Sequence, residues 1–398
     1  MILAARHLLL SAAEPVLEDA AVRVLRGQVV EVLASGGARA AREGGGLDLG
    51  DGLLAPGFVN AHAHLELGGL VGRMPSDRGF HGWIGALLGA RSELGQDDFR
   101  RAVRRGAPRL LATGTTAVGD IDSTGATEAV AAELGLRVVV QREVLDAWDP
   151  TRTPAALARV SRALPGSVRV REGLSPHAPY TVSSRLLAGA ARRVERRGLP
   201  LAVHWAETEA EGQWLEEGAG PLAAILPASP RRSGLDLLAE HGLLGPRTAL
   251  VHGNHPAAGE PERLARHGVS LVHCPGTHRF FSRAPFPLEA YRRAGVSLAL
   301  GTDSLASNED LDLRREMALA RETLGLAPRD ALELGLRGGA RALGWDGLGA
   351  LGEGSPADLV LHRLEASDAE ERLDELTAGG GKVERVWVHG REVELAAG

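Results

Sequence analysis

The sequence is poor in cysteine and lysine, and each shortage limits the chemistry that it supports. Cys274 is the only cysteine among 398 residues, which excludes an intramolecular disulfide and an all-cysteine zinc site and favours a reducing cytoplasm as the compartment. Lys382, near the C-terminus, is the only lysine. A Schiff-base lysine, a P-loop lysine and a carbamylated lysine that bridges two metals all need a lysine in the catalytic core, so these chemistries are excluded.

Strong positive charge and long apolar runs are also lacking. The formal net charge is -6, which gives no basic footprint for nucleic acid, and the cluster Arg192, Arg193, Arg196 and Arg197 is expected to be a solvated helix face. No apolar run reaches the roughly 18 residues of a membrane span. Residues 1–13 lack a signal-peptide pattern and are predicted to form a strand. The sequence thus favours a cytoplasmic protein without nucleic-acid or membrane partners.

The middle of the chain repeats one pattern: an arginine-rich helical run, a glycine and a short apolar strand. Gly135, Gly198, Gly268 and Gly295 each fit the position after a helix where a positive φ is required. Including similar runs elsewhere, eight buried strands are predicted, at 54–61, 115–120, 136–140, 168–174, 201–204, 249–252, 269–273 and 296–300. Eight strands with helical segments between most of them predict an α/β fold, a (β/α)8 TIM barrel.

The two ends of the chain differ from this middle part. Short strands alternate with glycine-rich turns at 21–25 and 27–33, and again strands are predicted at 358–361 and 383–388. We expect the ends to pair into a small β-sandwich beside the barrel, across connections rich in glycine and proline. The predicted boundaries are 1–55 and 346–398 for the two parts of the sandwich and 56–345 for the barrel.

Histidines and a carboxylate collect where the predicted barrel strands end, which is the edge where such barrels carry their chemistry. The residues at these ends are His62, His64, His177, His204, His252, His273 and Asp303. His62 and His64 are separated by one residue, Ala63, so both project to the same side of a strand. This spacing fits either a metal-binding pair or two histidines that merely share a strand face.

Two carboxylates near these histidines each allow two interpretations. Glu207 follows His204 by three residues, where it is either a proton carrier or an ordinary acid at a helix start. Asp303 is either a hydrogen-bond acceptor for its loop or a metal ligand, and a metal satisfies a buried charge better. Three histidines and one aspartate suit Zn²⁺ or Fe²⁺ with an open position for water.

Five segments, in this order, carry a resemblance to a known family: PGFVNAHAH (56–64), SPHAPY (175–180), HWAE (204–207), VHG (251–253) and GTDSLASN (301–308). Through them the chain resembles the amidohydrolase superfamily over essentially its whole length, in the cytosine-deaminase-like and chlorohydrolase-like branch. The segment GSPADLV (354–360) resembles that family's return into its β-sandwich.

The resemblance implies a mononuclear metal-dependent hydrolase. The implied ligands of one divalent ion, Zn²⁺ or alternatively Fe²⁺, are His62, His64, His204 and Asp303. A divalent metal lowers the pKa of its water to about 7. The implied catalytic residues are Glu207, which protonates a ring nitrogen of the substrate, His252, which holds the attacking oxygen, and Asp303, which accepts the proton of the water.

The resemblance extends to one substrate contact. His177 resembles a position that contacts substrate in related deaminases, and bracing of its loop is the alternative. Residues 73–94 are predicted to form a lid or pocket wall, in which Trp83 either lines an aromatic substrate site or packs in the core.

The segment after the seventh strand departs from the family. Relatives often read HNPxSN there, whereas this chain reads HCPGTHRFF (273–281). His278 and Arg279 are candidate donors to a carboxylate or carbonyl of the substrate, and Phe280 or Phe281 is a candidate to stack on a flat ring. Pairing of Arg279 with a protein carboxylate is the alternative.

Three functions fit the sequence. The first is deamination of an aminopurine nucleoside-like or other heterocycle, with aminodeoxyfutalosine as one specific guess. The second is opening of a cyclic amide or imidazolone ring, or hydrolysis of a chloro- or alkylamino-triazine-like ring. The third, a noncatalytic scaffold, is disfavoured because no implied ligand or acid is missing. Relatives are often oligomers, so the resemblance also suggests a homo-oligomer.

Overall fold

A sheet of eight parallel strands forms the centre of the molecule, in a computed structural model that describes residues 1–395. The strands follow one another in space as in the chain: Phe58–Ala63, Thr115–Asp122, Arg137–Val144, Val170–Pro176, Leu201–Trp205, Thr248–His252, Ser270–His273 and Ser297–Leu300. A bridge between Ala63 and Asp303 joins the first strand to the loop after the eighth. The predicted (β/α)8 barrel is therefore confirmed.

Helices connect the barrel strands. The α-helices of this part are Gly79–Ser92, Gln96–Ala112, Ala126–Val130, Thr153–Arg159, Ser184–Arg197, Glu209–Gly212, Gly234–Glu240, Glu260–His267, Pro275–Phe280, Leu288–Ala294, Leu313–Leu324, Pro328–Glu333 and Gly339–Ala342. Short 3₁₀ or π turns lie at Leu65–Leu70, Ala131–Glu133, Gln213–Glu217, Pro221–Ala224 and Leu334–Gly338. None of the helices in the described range is both long and apolar enough to cross a bilayer.

The helix Ser184–Arg197 shows how the sequence sets such an element. Ser183 caps its start by accepting a hydrogen bond from the Leu186 backbone N–H at 3.3 Å. Its end is Gly198, whose φ of 64° is the left-handed value predicted for this glycine. Leu186, Leu187 and Ala190 form the buried face between these ends.

The arginines of this helix correct one expectation. Arg192 and Arg196 are exposed, as predicted, but Arg193 is buried and Arg197 pairs with Glu172 on the fourth barrel strand, Nη1 to Oε1 at 2.8 Å. Residues four apart share a helix face. Half of the cluster therefore faces the barrel, and the expectation of a wholly solvated face was wrong.

The predicted strand 54–61 is in fact two strands in different sheets. Leu53–Pro56 pairs with Leu359–Arg363, whereas Phe58–Ala63 opens the barrel. Between them Gly57 donates its N–H to the Asp358 carbonyl at 3.0 Å. A Cβ atom at Gly57 would lie 2.1 Å from Thr116 Oγ1, so the chain passes between the sheets where only glycine fits.

The two ends of the chain form the second sheet, as predicted. Its strands are Ile2–Leu8, Leu17–Leu25, Gln28–Leu33, Leu47–Asp48, Leu53–Pro56, Leu359–Arg363, Lys382–Val388 and Arg391–Val393. The helices Gly37–Glu43 and Ala369–Thr377 belong to the same terminal segments. The last three residues of the predicted C-terminal part, 396–398, lie outside the described residues.

A buried ion pair ties the terminal sheet to the barrel. Arg137, which begins the third barrel strand, donates from Nε to Asp358 Oδ2 at 2.6 Å and from Nη2 to Oδ1 at 3.0 Å. The His389 N–H also donates to Asp358 Oδ1, at 2.8 Å. Both charges are thus paired and hydrogen-bonded, which burial requires.

Candidate metal centre and active site

The four predicted metal ligands meet at one end of the barrel. His62 and His64 lie at the end of the first strand, His204 in the fifth, and Asp303 in the loop after the eighth. Nε2 of His64 is 3.3 Å from Nε2 of His204, and the Nε2 atoms of His62 and His64 are each 3.7 Å from Asp303 Oδ1. Side chains distant in sequence therefore direct nitrogen and oxygen donors into one small volume.

The protonation states at this cluster suit a cation. Burial, followed by the neighbouring His62, lowers the pKa of His64 to about 3. Burial and the nearby histidines also hold the pKa of His204 well below its usual range. Burial alone would raise the pKa of Asp303, but the neighbouring histidines, His62 above all, outweigh that effect and lower it. Free lone pairs thus surround a carboxylate.

Two further observations fit a divalent metal ion. Both ring nitrogens of His62 are buried and have no hydrogen-bond partner among residues 1–395, an arrangement that calls for an explanation such as an ion. His204 Nδ1 donates to the His177 carbonyl at 2.9 Å, which leaves the Nε2 lone pair towards the cluster, as in metal-binding histidines. Three imidazoles and a carboxylate are compatible with Zn²⁺ or Fe²⁺.

The backbone is strained at two residues of this end of the barrel. His252 has φ of 78° and Asp303 has φ of 56°, in the left-handed region that non-glycine residues rarely adopt. A Cβ atom at Gly301 would lie 2.8 Å from the His62 Cβ, so the end of the eighth strand passes directly against His62. Such strain is characteristic of sites where geometry serves function.

Asn60 holds the first strand to the loop that carries Asp303. Its Nδ2 donates to Thr302 Oγ1 at 2.7 Å, and its Oδ1 accepts from the backbone N–H groups of Thr302 and His62, each at 3.2 Å. Asn60 is fully buried. This side chain therefore sets the spacing between the His62 and Asp303 ends of the cluster.

A second group, Glu207, His252 and Arg283, lies beside the cluster. Glu207 Oε1 is 3.7 Å from His252 Nε2 and accepts a hydrogen bond from Arg283 Nη2 at 2.7 Å. Arg283 Nη1 also donates to the Glu207 carbonyl. Burial raises the pKa of Glu207 to about 7 even though Arg283 lowers it. A carboxyl with this pKa can hold or release a proton near neutral pH.

His177 lies next to the cluster, as its position in the sequence predicted. Its ring centre is 4.9 Å from that of His204, and its Nδ1 is 2.7 Å from Thr181 Oγ1. Burial, with a smaller contribution from Arg91, lowers the pKa of His177 to about 4. The bracing contact is therefore present, and the substrate contact stays a prediction.

Trp83 packs within the predicted lid segment, where the helix Gly79–Ser92 forms. Its Nε1 donates to the Ala306 carbonyl at 2.9 Å. Its ring stacks on Phe80 at 5.9 Å and meets the edge of Phe281 at 5.3 Å. These contacts match the core-packing alternative, and a role in binding substrate remains a prediction.

The residues after the seventh strand also have protein partners. His278 Nε2 is 2.8 Å from the Ala284 carbonyl, and the Arg279 guanidinium lies 4.0 Å from Glu309. Phe280 meets Phe281 edge-on at 5.0 Å. The proposed substrate contacts of His278, Arg279 and Phe280 remain predictions. His273, the remaining rim histidine, stacks on Phe286 at 4.0 Å.

Sequence reasoning missed two charged residues at this end of the barrel. Arg283 lies two residues beyond the segment that departs from the family, and its contact with Glu207 spans 76 residues. Glu143 is the penultimate residue of the third strand, Arg137–Val144, but the predicted strand stopped at residue 140. Because the ends of barrel strands carry the chemistry, a predicted strand extended to residue 144 would have made Glu143 a candidate site residue.

Comparison with known proteins gives a consistent assignment. The sequence model described as "Amidohydrolase family" matches residues 53–393. A 5-methylthioadenosine/S-adenosylhomocysteine deaminase of Halobacterium salinarum is 33% identical over 335 residues, 79% of this chain and 74% of that protein. An aminodeoxyfutalosine deaminase of Deinococcus radiodurans is 33% identical over 316 residues, 73% of each chain. A zinc-bound adenosine deaminase structure from Xanthomonas campestris superimposes with TM-score 0.80 and 27% identity, covering 98% of this chain and 92% of that one.

Proposed function

This chain belongs to the amidohydrolase family, and we propose that it is an aminohydrolase that uses one divalent metal ion to release ammonia from an aminopurine nucleoside or a related heterocycle. The observation that carries the proposal is a buried carboxyl, Glu207, whose pKa of about 7 fits proton transfer, beside a cluster of histidines and Asp303. The names of the Halobacterium and Deinococcus relatives support a nucleoside-like substrate, and aminodeoxyfutalosine is the specific candidate.

We propose that His62, His64, His204 and Asp303 hold the ion, with Zn²⁺ as the native metal and Fe²⁺ as the alternative. When bound, such an ion lowers the pKa of a water molecule to about 7 and so supplies a nucleophile. A lysine-bridged pair of ions does not fit, because Lys382 begins a strand of the terminal sheet. The donor set and the zinc in the Xanthomonas structure support this assignment.

The proposed roles of the side chains follow from their positions. Asp303 takes up a proton from the attacking water, and His252 Nε2 orients that water towards the substrate carbon. Glu207 delivers its proton to the ring nitrogen next to this carbon as the C–O bond forms. The exocyclic nitrogen then takes the proton held by Asp303 and leaves as ammonia when its C–N bond breaks, while the added hydroxyl returns its proton to Glu207 and becomes the carbonyl. Water and amine are thus converted into a carbonyl product and ammonia.

Arg283 gives this proton carrier a fixed orientation. Its guanidinium donates hydrogen bonds to both the Glu207 carbonyl and Oε1. The second carboxylate oxygen of Glu207 is therefore left to face a substrate. A proton donor that is held in place before substrate arrives needs no reorganisation during the reaction.

Ammonia release by the metal-loaded protein tests the proposal. The substrates are adenosine, methylthioadenosine, aminodeoxyfutalosine, guanine, cytosine and an aminotriazine. We expect release from at least one purine nucleoside and a fall of about 100-fold or more in Glu207→Gln, the usual effect of losing a general acid. Glu209→Gln, which changes an exposed glutamate two residues away, serves as the matched control. One bound metal and no ammonia from any substrate would contradict the proposal.

A further inference from the structure

Glu143 is a buried carboxylate that the proposed chemistry does not use. It lies one residue before the end of the third barrel strand, Arg137–Val144, and is 6% exposed. Its Oε1 is sealed from solvent and has no hydrogen-bond partner in the part of the chain that the structure describes. Burying such an acceptor without a donor is unfavourable. The position therefore calls for a donor that arrives with a ligand.

The neighbours of Glu143 are His177 and His204. One ligand atom from each of the three side chains lies within 4.8 Å of the other two, which raises the question of a second metal site. The Nδ1 of His204 is engaged with the His177 carbonyl, and its Nε2 faces His64 at 3.3 Å. His204 thus has no nitrogen left for a second ion, and Glu143 and His177 remain as a pair.

The hydrogen bonds of Thr181 determine which ring nitrogen of His177 is a donor and which is an acceptor. The Thr181 hydroxyl donates to the Ala178 carbonyl at 3.0 Å, so its oxygen accepts from His177 Nδ1–H at 2.7 Å. Neutral imidazole has one donor and one acceptor nitrogen. His177 Nε2 is therefore an acceptor, and the Glu143 carboxylate beside it is another. Two adjacent acceptors fit a group that brings two donors.

Nearby charges favour neutral donors over a cation. Burial raises the pKa of Glu143 to about 7, although the nearby guanidinium groups of Arg91 and Arg159 lower it. The hydrogen bonds of these two arginines go to the Ser123 side chain and carbonyl. Because positive charge is already supplied, an ammonium group gains little here. Hydroxyl groups have the required donors and no charge.

We propose that Glu143 and His177 form a subsite that binds the hydroxyl groups of a sugar-like substituent on the heterocyclic substrate. The subsite rests on the proposed function, because it adjoins the proposed metal ligands and orients the substrate relative to them. Glu143 is the specificity-determining residue of the pair. His177 is held by Thr181 and presents the second acceptor.

Equilibrium binding of a deaminated nucleoside tests the subsite without turnover. Inosine and 2′,3′-dideoxyinosine are titrated calorimetrically into the metal-loaded wild type and into Glu143→Gln and Glu143→Ala. The wild type is expected to bind inosine about 10- to 100-fold more tightly, the range for hydrogen bonds to a charged group. The variants lose most of this preference. Equal affinities for both nucleosides in the wild type, or an unchanged preference in the variants, overturn the proposal.

Thermal unfolding separates a binding role from a structural one. Because Glu143 is poorly satisfied in the free protein, Glu143→Gln is expected to keep or raise the melting temperature, whereas a structural carboxylate would lower it when replaced. Glu260→Gln, at a buried glutamate that accepts from the Ala257 N–H at 2.7 Å, is the matched control and is expected to lower it. A fall for Glu143→Gln as large as for Glu260→Gln overturns the proposal.

Ammonia release from adenosine and dideoxyadenosine separates the subsite from the proposed function. Release from both nucleosides at equal kcat/KM overturns the subsite and leaves the deaminase assignment intact. A hydroxyl preference in binding without ammonia release from any nucleoside supports the subsite and overturns the deaminase assignment.

Discussion

Arg283 Nη2 donates to Glu207 Oε1 over 2.7 Å, although the two residues are 76 positions apart. The guanidinium is largely buried and lies over the ring of Phe281, 4.9 Å from its centre. A buried carboxylate that loses its cation is left with an uncompensated charge. The protonation of Glu207 is therefore coupled to Arg283.

Replacing Arg283 by methionine is expected to raise the pKa of Glu207 above about 7, because the charge that lowers it is removed. The limb of the kcat/KM profile that reports Glu207 then moves to higher pH, and kcat/KM falls roughly 10- to 100-fold with the lost hydrogen bonds to a charged group. The pH profiles of both proteins measure this shift. Arg292→Met, at an arginine paired with Asp330 at 2.9 Å near the surface, should leave the profile unchanged. An unshifted limb in Arg283→Met would show that the pair does not set the pKa.

Metal binding at the four proposed ligands, His62, His64, His204 and Asp303, should stabilise the fold. A ligand present at 100 times its Kd adds about 2.7 kcal/mol to the free energy of unfolding, so zinc should raise the Tm of the apoprotein. Calorimetry of Asp303→Ala should show little of this rise, since the carboxylate that balances the ion is gone. His267→Ala removes an exposed histidine and should respond like the wild type. An equal response in Asp303→Ala would place the ion elsewhere.

Glu211 should make stability depend on pH. Burial raises its pKa to about 8 from an ordinary value of 4.5. The native state therefore retains a proton that the unfolded chain loses, and the stabilisation present below about pH 4.5 is lost progressively as the pH rises to about 8. Glu211→Gln removes this titration and should flatten the loss. Urea unfolding at several pH values across this window tests it, and parallel curves for both proteins would count against it.

The ion pair between Arg137 and Asp358 should be a major link between barrel and terminal sheet. Both side chains are 4% exposed, and removing one partner of a buried pair costs about 3–5 kcal/mol. Denaturant unfolding of Arg137→Leu should show a loss of this size. Arg104→Leu breaks the exposed pair with Glu133 and should cost less than about 1 kcal/mol. Similar losses in the two variants would contradict the link.

Local patterns predicted the barrel and the placement of the proposed metal ligands. Glycines with positive φ, such as Gly198, end helices, and apolar runs form the strands, because these preferences depend on nearby residues. A histidine that ends a strand is also carried to the rim by the topology. His62, His204 and Asp303 could therefore be brought together from the sequence.

Contacts between distant side chains could not be predicted in this way. The predicted strand 54–61 divides at Gly57, where the chain passes so close to Thr116 that there is no room for a Cβ atom. Arg283, among many arginines, reaches Glu207 because the chain folds back after the seventh strand. Such contacts depend on packing between segments that are distant in sequence, which neither composition nor residue spacing predicts.

Hydrolysis in ¹⁸O-labelled water shows directly whether the protein replaces the amino group of a purine nucleoside by an oxygen from water. The metal-loaded protein is given its best purine nucleoside, ammonia is quantified, and the product is analysed by mass spectrometry. Hydrolytic deamination predicts one ammonia per product and one ¹⁸O atom on the carbon that bore the amino group. A product that keeps its nitrogen while gaining ¹⁸O, as in ring opening, would contradict it.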